Sequence, residues 1–109
     1  MLDRFATSIK FAAAACLMTV AAHAQVYIHP DGDTVRQGGH IHVDNWTKGA
    51  CVVVIKDASG NVIEVVTLPP QGWIDIPVPS SGGLLGQKIT TTATSTTGDK
   101  AEKTHVVVR

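Results

Sequence analysis

His40-x-His42 is the pair in this chain best suited to carry chemistry. The stretch 40–46 alternates apolar and polar residues, as a half-buried strand does. Residues two apart then project from one face, and Asp44 continues the row. Neutral imidazoles with a carboxylate are a ligand set for zinc or copper(II). His40, His42 and Asp44 are therefore the candidate metal residues, and His29 and His105 on other expected strands could approach them. The plainer alternative is a polar outer face that happens to contain histidine.

Three aromatics are candidate contact residues: Tyr27, Trp46 and Trp73. Trp46 shares the parity of His40 and His42. Trp73 has the parity opposite to Ile74 and Ile76, and Tyr27 the parity opposite to Val26 and Ile28. Tryptophan and tyrosine are enriched at binding hot spots. Two exposed tryptophans on one surface would fit a carbohydrate-binding accessory module. The competing expectation is that one tryptophan fills the core and that Tyr27 packs under a loop.

Catalysis is not expected. The chain has no Gly-x-Ser-x-Gly elbow and no glycine-rich phosphate loop. Cys51 sits in an apolar run, where a thiolate is disfavoured. Asp31 and Asp33 belong to a turn, and Glu64 and Asp75 read as isolated on outward strand faces. No cofactor is expected beyond the copper or zinc ion. Nine Lys and Arg balance nine Asp and Glu without clustering by sign, so no nucleic acid or anionic lipid surface is implied as a partner.

The first residues read as a cleaved secretory signal peptide over 1–24. Arg4 and Lys10 give the positive region, 11–20 the apolar run, and Ala22-His23-Ala24 the small-residue cleavage site. The run is shorter than the roughly 20 residues of a membrane helix, so no transmembrane anchor is expected. The chain is thus expected in the periplasm or secreted. A cut after Ala22 would instead leave His23 first. Cys16 leaves with the leader, so Cys51 has no intramolecular partner and reads as a buried, inert thiol. Asn45-Trp46-Thr47 fits a glycosylation sequon, a chance match behind a bacterial-looking leader.

What must position these side chains is one domain over 25–109, about 85 residues and one modest core. Strands are expected at 26–29, 40–46, 50–55, 62–68 and 73–78, followed by a hairpin over 86–109. Residues 34–39 serve as a lead-in. Pro30-Asp31-Gly32-Asp33 and Lys56-Asp57-Ala58-Ser59-Gly60-Asn61 carry turn chemistry. Residues 50–55 are apolar on both faces, as in a central strand, and Pro77 places 73–78 at an edge. Leu84 and Leu85 plug one end. In the hairpin, Ile89, Ala93, Val106 and Val108 point inward and the threonines outward. About seven short strands at this spacing predict an all-β sandwich.

The chain resembles a bacterial immunoglobulin-like (Big-type) domain in single copy. The likeness rests on Pro30-Asp31-Gly32-Asp33-Thr34-Val35 with Gly39, on the hairpin Lys56 to Val62, and on the final hairpin from Gly86 to Val108. It covers nearly all of 25–109, with Ser95-Thr96-Thr97-Gly98-Asp99 standing where the family has a different turn. The resemblance implies an immunoglobulin-like β-sandwich and a place among surface and adhesion proteins. With His23 first, the N-terminal amine and imidazole would also resemble the chelate of small periplasmic copper carriers. The expected role is an exported, non-catalytic binding module contacting another envelope or cell-surface protein. The edges at 26–29 and 73–76 could accept a partner strand.

Overall fold

The computed structural model describes residues 25–80 and 83–109. The expected leader, 1–24, lies outside these residues, as do Ser81 and Gly82 of the crossover ahead of the last hairpin. Eight strands follow in order: β1 (Val26–His29), β2 (Thr34–Arg36), β3 (His40–Asn45), β4 (Cys51–Lys56), β5 (Val62–Leu68), β6 (Trp73–Pro77), β7 (Lys88–Ser95) and β8 (Lys100–Val108). The described residues contain no helix, and so none that could cross a membrane. The strands form two sheets, one of three in the order β1-β3-β6 and one of five in the order β2-β8-β7-β4-β5.

Strand alternation builds the core between the sheets. Val26 and Ile28 of β1, Ile41 and Val43 of β3, and Ile76 of β6 supply one side. Cys51, Val53, Ile55, Leu68, Ile89, Ala93 and Val107 supply the other. Burying each valine or isoleucine stabilises the fold by about 1.5–3 kcal/mol before entropy is subtracted. Leu84 packs on this core, whereas Leu85 stays exposed, so only the first of the expected pair acts as a plug.

Three expectations about the strands need correction. Thr91 of β7, expected to face outward, is fully buried beside Ile89 and Ala93 on the inward face. The eighth strand is β2, which pairs parallel with β8 from Thr34–Val106 to Arg36–Val108. Three residues are too few to show a period, so they read as a lead-in. The chain leaves the three-stranded sheet after β1 and joins the five-stranded one after a link of four residues, 30–33. In β8, Val106 and Val108 face outward, and His105 and Val107 are the buried pair. The run Val106-Val107-Val108 has no alternation of its own to set the face. His105 sets it: its Nε2–H donates to Pro30 O at 2.8 Å, inside the protein.

The end of the sandwich beside β6 is fixed by a buried polar knot. Asn45 Nδ2 donates to Gly49 O and Pro69 O, each at 3.0 Å. Its Oδ1 accepts from the backbone N–H of Thr47 (3.1 Å) and from Thr47 Oγ1 (2.7 Å). Thr47 Oγ1 also meets Ser95 Oγ at 2.7 Å, tying the loop after β3 to the opposite sheet. A side chain at Gly49 would run into Thr96 Oγ1. Asn45 is thus buried with both amide hydrogens engaged, and the sequon match has no accessible acceptor nitrogen in the fold.

Candidate functional face

The outer side of the three-stranded sheet gathers most of the candidate residues. Pairing register makes two rows across it. One runs His29–His42–Asp75, the other Tyr27–Asp44–Trp73. Central strand β3 contributes His42 and Asp44, and the edge strands contribute the rest. The rows exist because Val26, Ile28, Ile41, Val43, Ile74 and Ile76 face or pack against the core, which sends the intervening residues outward.

His42 is held from both sides. Its Nδ1–H donates to Asp75 Oδ1 at 2.6 Å and its Nε2–H donates to Asp44 Oδ1 at 3.0 Å. The Asp75 hydrogen bond, with that of Asp44 and the negative charge of both, lifts the His42 pKa above its ordinary value. Partial desolvation opposes this without reversing it. An imidazolium can donate from both nitrogens at once, which a neutral ring cannot. His29 lies against the same carboxylate: its Nε2 is 3.7 Å from Asp44 Oδ2 and its Nδ1 3.4 Å from Asp31 Oδ1.

The rings form a continuous strip. Tyr27 and His29 have centroids 6.4 Å apart, His29 and His42 5.7 Å, and His42 and Trp73 5.5 Å. Tyr27 is 40 % exposed and Trp73 63 %. Trp46 directly follows β3 in the chain and is 56 % exposed. Its backbone is pinned: the N–H donates to Gln25 O at 2.8 Å, and its carbonyl accepts from Gln71 Nε2 at 2.8 Å. Gln71 adopts a left-handed backbone with φ 63° while its amide also bonds Thr47 O at 2.9 Å. Neither tryptophan belongs to the core, and Tyr27 is not tucked under a loop.

His40 lies at the far end of β3, opposite Pro77, and is exposed. Among the described residues its side chain enters no hydrogen bond or ion pair. It shares with His29, His42, Arg36 and Asp75 the wall of an open hollow of about 490 Å³. His105 is on the opposite sheet and fully buried, so it does not join the other histidines. No three His, Cys, Asp or Glu side chains among the described residues already stand around one point as a metal-holding group. Cys51 is buried in β4, and burial pushes its thiol pKa up.

Asp75 and Asp31 join the site although sequence reasoning left Asp75 isolated and Asp31 in a turn. The parity of Trp73-x-Asp75 was a usable signal for the face. The partner was not readable, because it depends on which strand lies beside β6. No protein-family model matches this chain, and no curated protein matches it as a relative.

Proposed function

We propose that this chain is an exported, non-catalytic binding module of immunoglobulin-like fold, and that it contacts another envelope or cell-surface protein. The sheet orders support the immunoglobulin-like reading. The first strand is split between sheets, as β1 and β2, and β3 pairs with β6 while β8-β7-β4 form the core of the other sheet. This agrees with the two-sheet division of immunoglobulin sandwiches.

The observation that carries the binding reading is the exposed strip from Tyr27 to Trp73. Large rigid aromatics on a sheet are held in place before any partner arrives, so little side-chain entropy is lost on contact. The strip is flanked by Asp44 and Asp75. Aromatic faces beside carboxylates suit a partner that offers Arg or Lys side chains, through cation–π contact and charge pairing. Strands β1 and β6 are both edges of their sheet and stand beside this strip, so a partner strand could extend it.

The test uses the full chain as bait on extracts of the producing cell's envelope, beside a Tyr27→Ala/Trp73→Ala double variant. A specific partner retained by the native chain and lost by the variant supports the reading. Equal retention by both overturns it. The exposure of both tryptophans also favours a second reading, a carbohydrate-binding accessory module. Retention on immobilised envelope polysaccharide that Trp46→Ala and Trp73→Ala both weaken would select it over a protein partner.

A further inference from the structure

Each sheet has two edge strands, β1 and β6 in one and β2 and β5 in the other. β1 has four residues, β2 has three, and β6 has five and carries Pro77. β5 is the longest, with seven: Val62-Ile63-Glu64-Val65-Val66-Thr67-Leu68. Shortness, proline and lysine are the devices that keep an edge from pairing with another chain. β5 has none of them and holds a single charge, Glu64. The bulge in its pairing with β4 falls at Ile55/Lys56, which leaves the stretch 64–68 regular.

Register shows which backbone groups of β5 are free. Thr96 N–H donates to Ala50 O, so the even residues of β4 bond β7 and the odd ones bond β5. Cys51, Val53 and Ile55 thus engage Leu68, Val66 and Glu64. Val65 and Thr67 turn their N–H and C=O groups to the open edge. Their side chains stand on the outer face, where Val65 is 56 % exposed and Val52, beside Thr67, 41 %. On the inner face Val66 packs against the core but is only half-buried.

We infer that two copies of this chain associate edge to edge through β5, joining their five-stranded sheets into one continuous sheet. A two-fold axis at Val66 sets Val65 opposite Thr67 of the second copy, and Thr67 opposite its Val65. Each such pair exchanges both N–H···O bonds, so every free group of the two residues finds a partner. Val66 meets its own copy on the inner face as a non-hydrogen-bonded pair, the kind whose side chains lie closest. On the outer face the row Val54–Val65 continues through Thr67 and Val52 of the second copy, which joins two β-branched patches. Glu64 faces Leu68 of the second copy. The two Glu64 are then four positions apart, about 13 Å along the strand. That exceeds the screening length of about 8 Å at physiological salt. An axis at Val65 would draw the bulged end into the pairing. An axis at Thr67 would set Pro69, which has no N–H, opposite Val65. The contact is isologous and closes at two copies. It uses neither Tyr27 nor Trp73, so it does not depend on the binding reading above.

The experiment is sedimentation equilibrium of the full chain over a concentration range reaching about 1 mM. The expected result is a reversible rise in mass from one chain to two. Val65→Lys/Thr67→Lys sets like charges opposite each other in both pairs and abolishes the rise, and Val65→Glu/Thr67→Glu does the same. An equal mixture of the two variants restores it. Both positions are exposed on the outer face, so each variant keeps the fold. Thr94→Lys, exposed on the same face but inside the sheet, leaves association unchanged. A second readout needs no variant: the amides of Val65 and Thr67 exchange about tenfold more slowly at the top of the range than when dilute. A chain that stays monomeric throughout, association undiminished in the lysine variant, a mixture that stays monomeric, or protection gained elsewhere and not at Val65 and Thr67 each overturn the inference. Failure of the Tyr27 and Trp73 partner experiment leaves it untouched.

Discussion

His42 Nδ1 and Asp75 Oδ1 lie 2.6 Å apart, across neighbouring strands and 33 residues of sequence. With Asp44 on its other nitrogen, His42 favours its protonated form. In metal-free buffer its resonance is expected to titrate above the ordinary histidine midpoint of about 6.5. Asp75→Asn is expected to lower that midpoint, since the first cause of the rise is removed. The sign for stability follows. The folded pKa is raised, so the contribution is fully present below the unfolded value and is lost as pH rises through the folded one. Thermal stability measured across that interval should fall with rising pH in the native chain and vary less in Asp75→Asn.

Asn45 supports the loop that carries Trp46. Asn45→Ala leaves the buried Thr47 N–H without its acceptor, while Gly49 O keeps the Thr47 hydroxyl and Pro69 O keeps the Gly72 N–H. A loss of about 1–3 kcal/mol is expected from urea unfolding, because a buried group left without a partner costs more than an average hydrogen bond returns. Asn45→Asp should be as damaging, since a carboxylate accepts but cannot donate to the two carbonyls. An Asn45→Asp variant of native stability would refute this account of the knot.

Cys51 is expected to resist thiol reagents in the folded chain. Its sulfur is buried among core residues of β4, and burial raises its pKa. Peptide mapping after alkylation should find Cys51 unmodified under native conditions and modified in denaturant. Rapid native labelling at pH 7 would place the thiol at an accessible surface instead.

Trp46 and Trp73 are the two tryptophans of the chain. Both are exposed, so native fluorescence should peak near the emission of the unfolded chain and be readily quenched by acrylamide. Each alanine variant should change folding stability by no more than about 0.5 kcal/mol, as is usual for surface substitutions. A strongly blue-shifted native emission would contradict the exposure of both rings.

Much of the architecture was legible because alternation reports directly on a two-sided sheet. His40 to Trp46 and Trp73 to Val78 each showed which residues face the core, and both the all-β class and the outward parity of the aromatics followed. Edge positions of 26–29 and 73–77 were legible too, from brevity and from Pro77. Three things were not. Strand β2 is too short for a period and owes its existence to β8. The face of β8 is ambiguous in a run of three valines, and a buried histidine looks polar until its partner, Pro30 O, is known. The company of His42 depends on register between strands far apart in sequence, so His29 and Asp75 could be assigned to a face but not to a neighbour.

Strand β2 also has a mechanical consequence. It lies parallel to β8, and the junction continues on either side through Val106 N–H to Asp33 O and Gln37 N–H to Val108 O. Tension applied between β1 and the end of β8 pulls these two strands lengthwise past each other. Their bonds are then loaded together in shear, whereas a hairpin pulled open at its ends would unzip bond by bond. A domain gripped by a partner at the aromatic face and tethered through β8 would transmit force through this short splice. Three residues that look like a connector in the sequence thus place a junction loaded in shear between β1 and the end of β8.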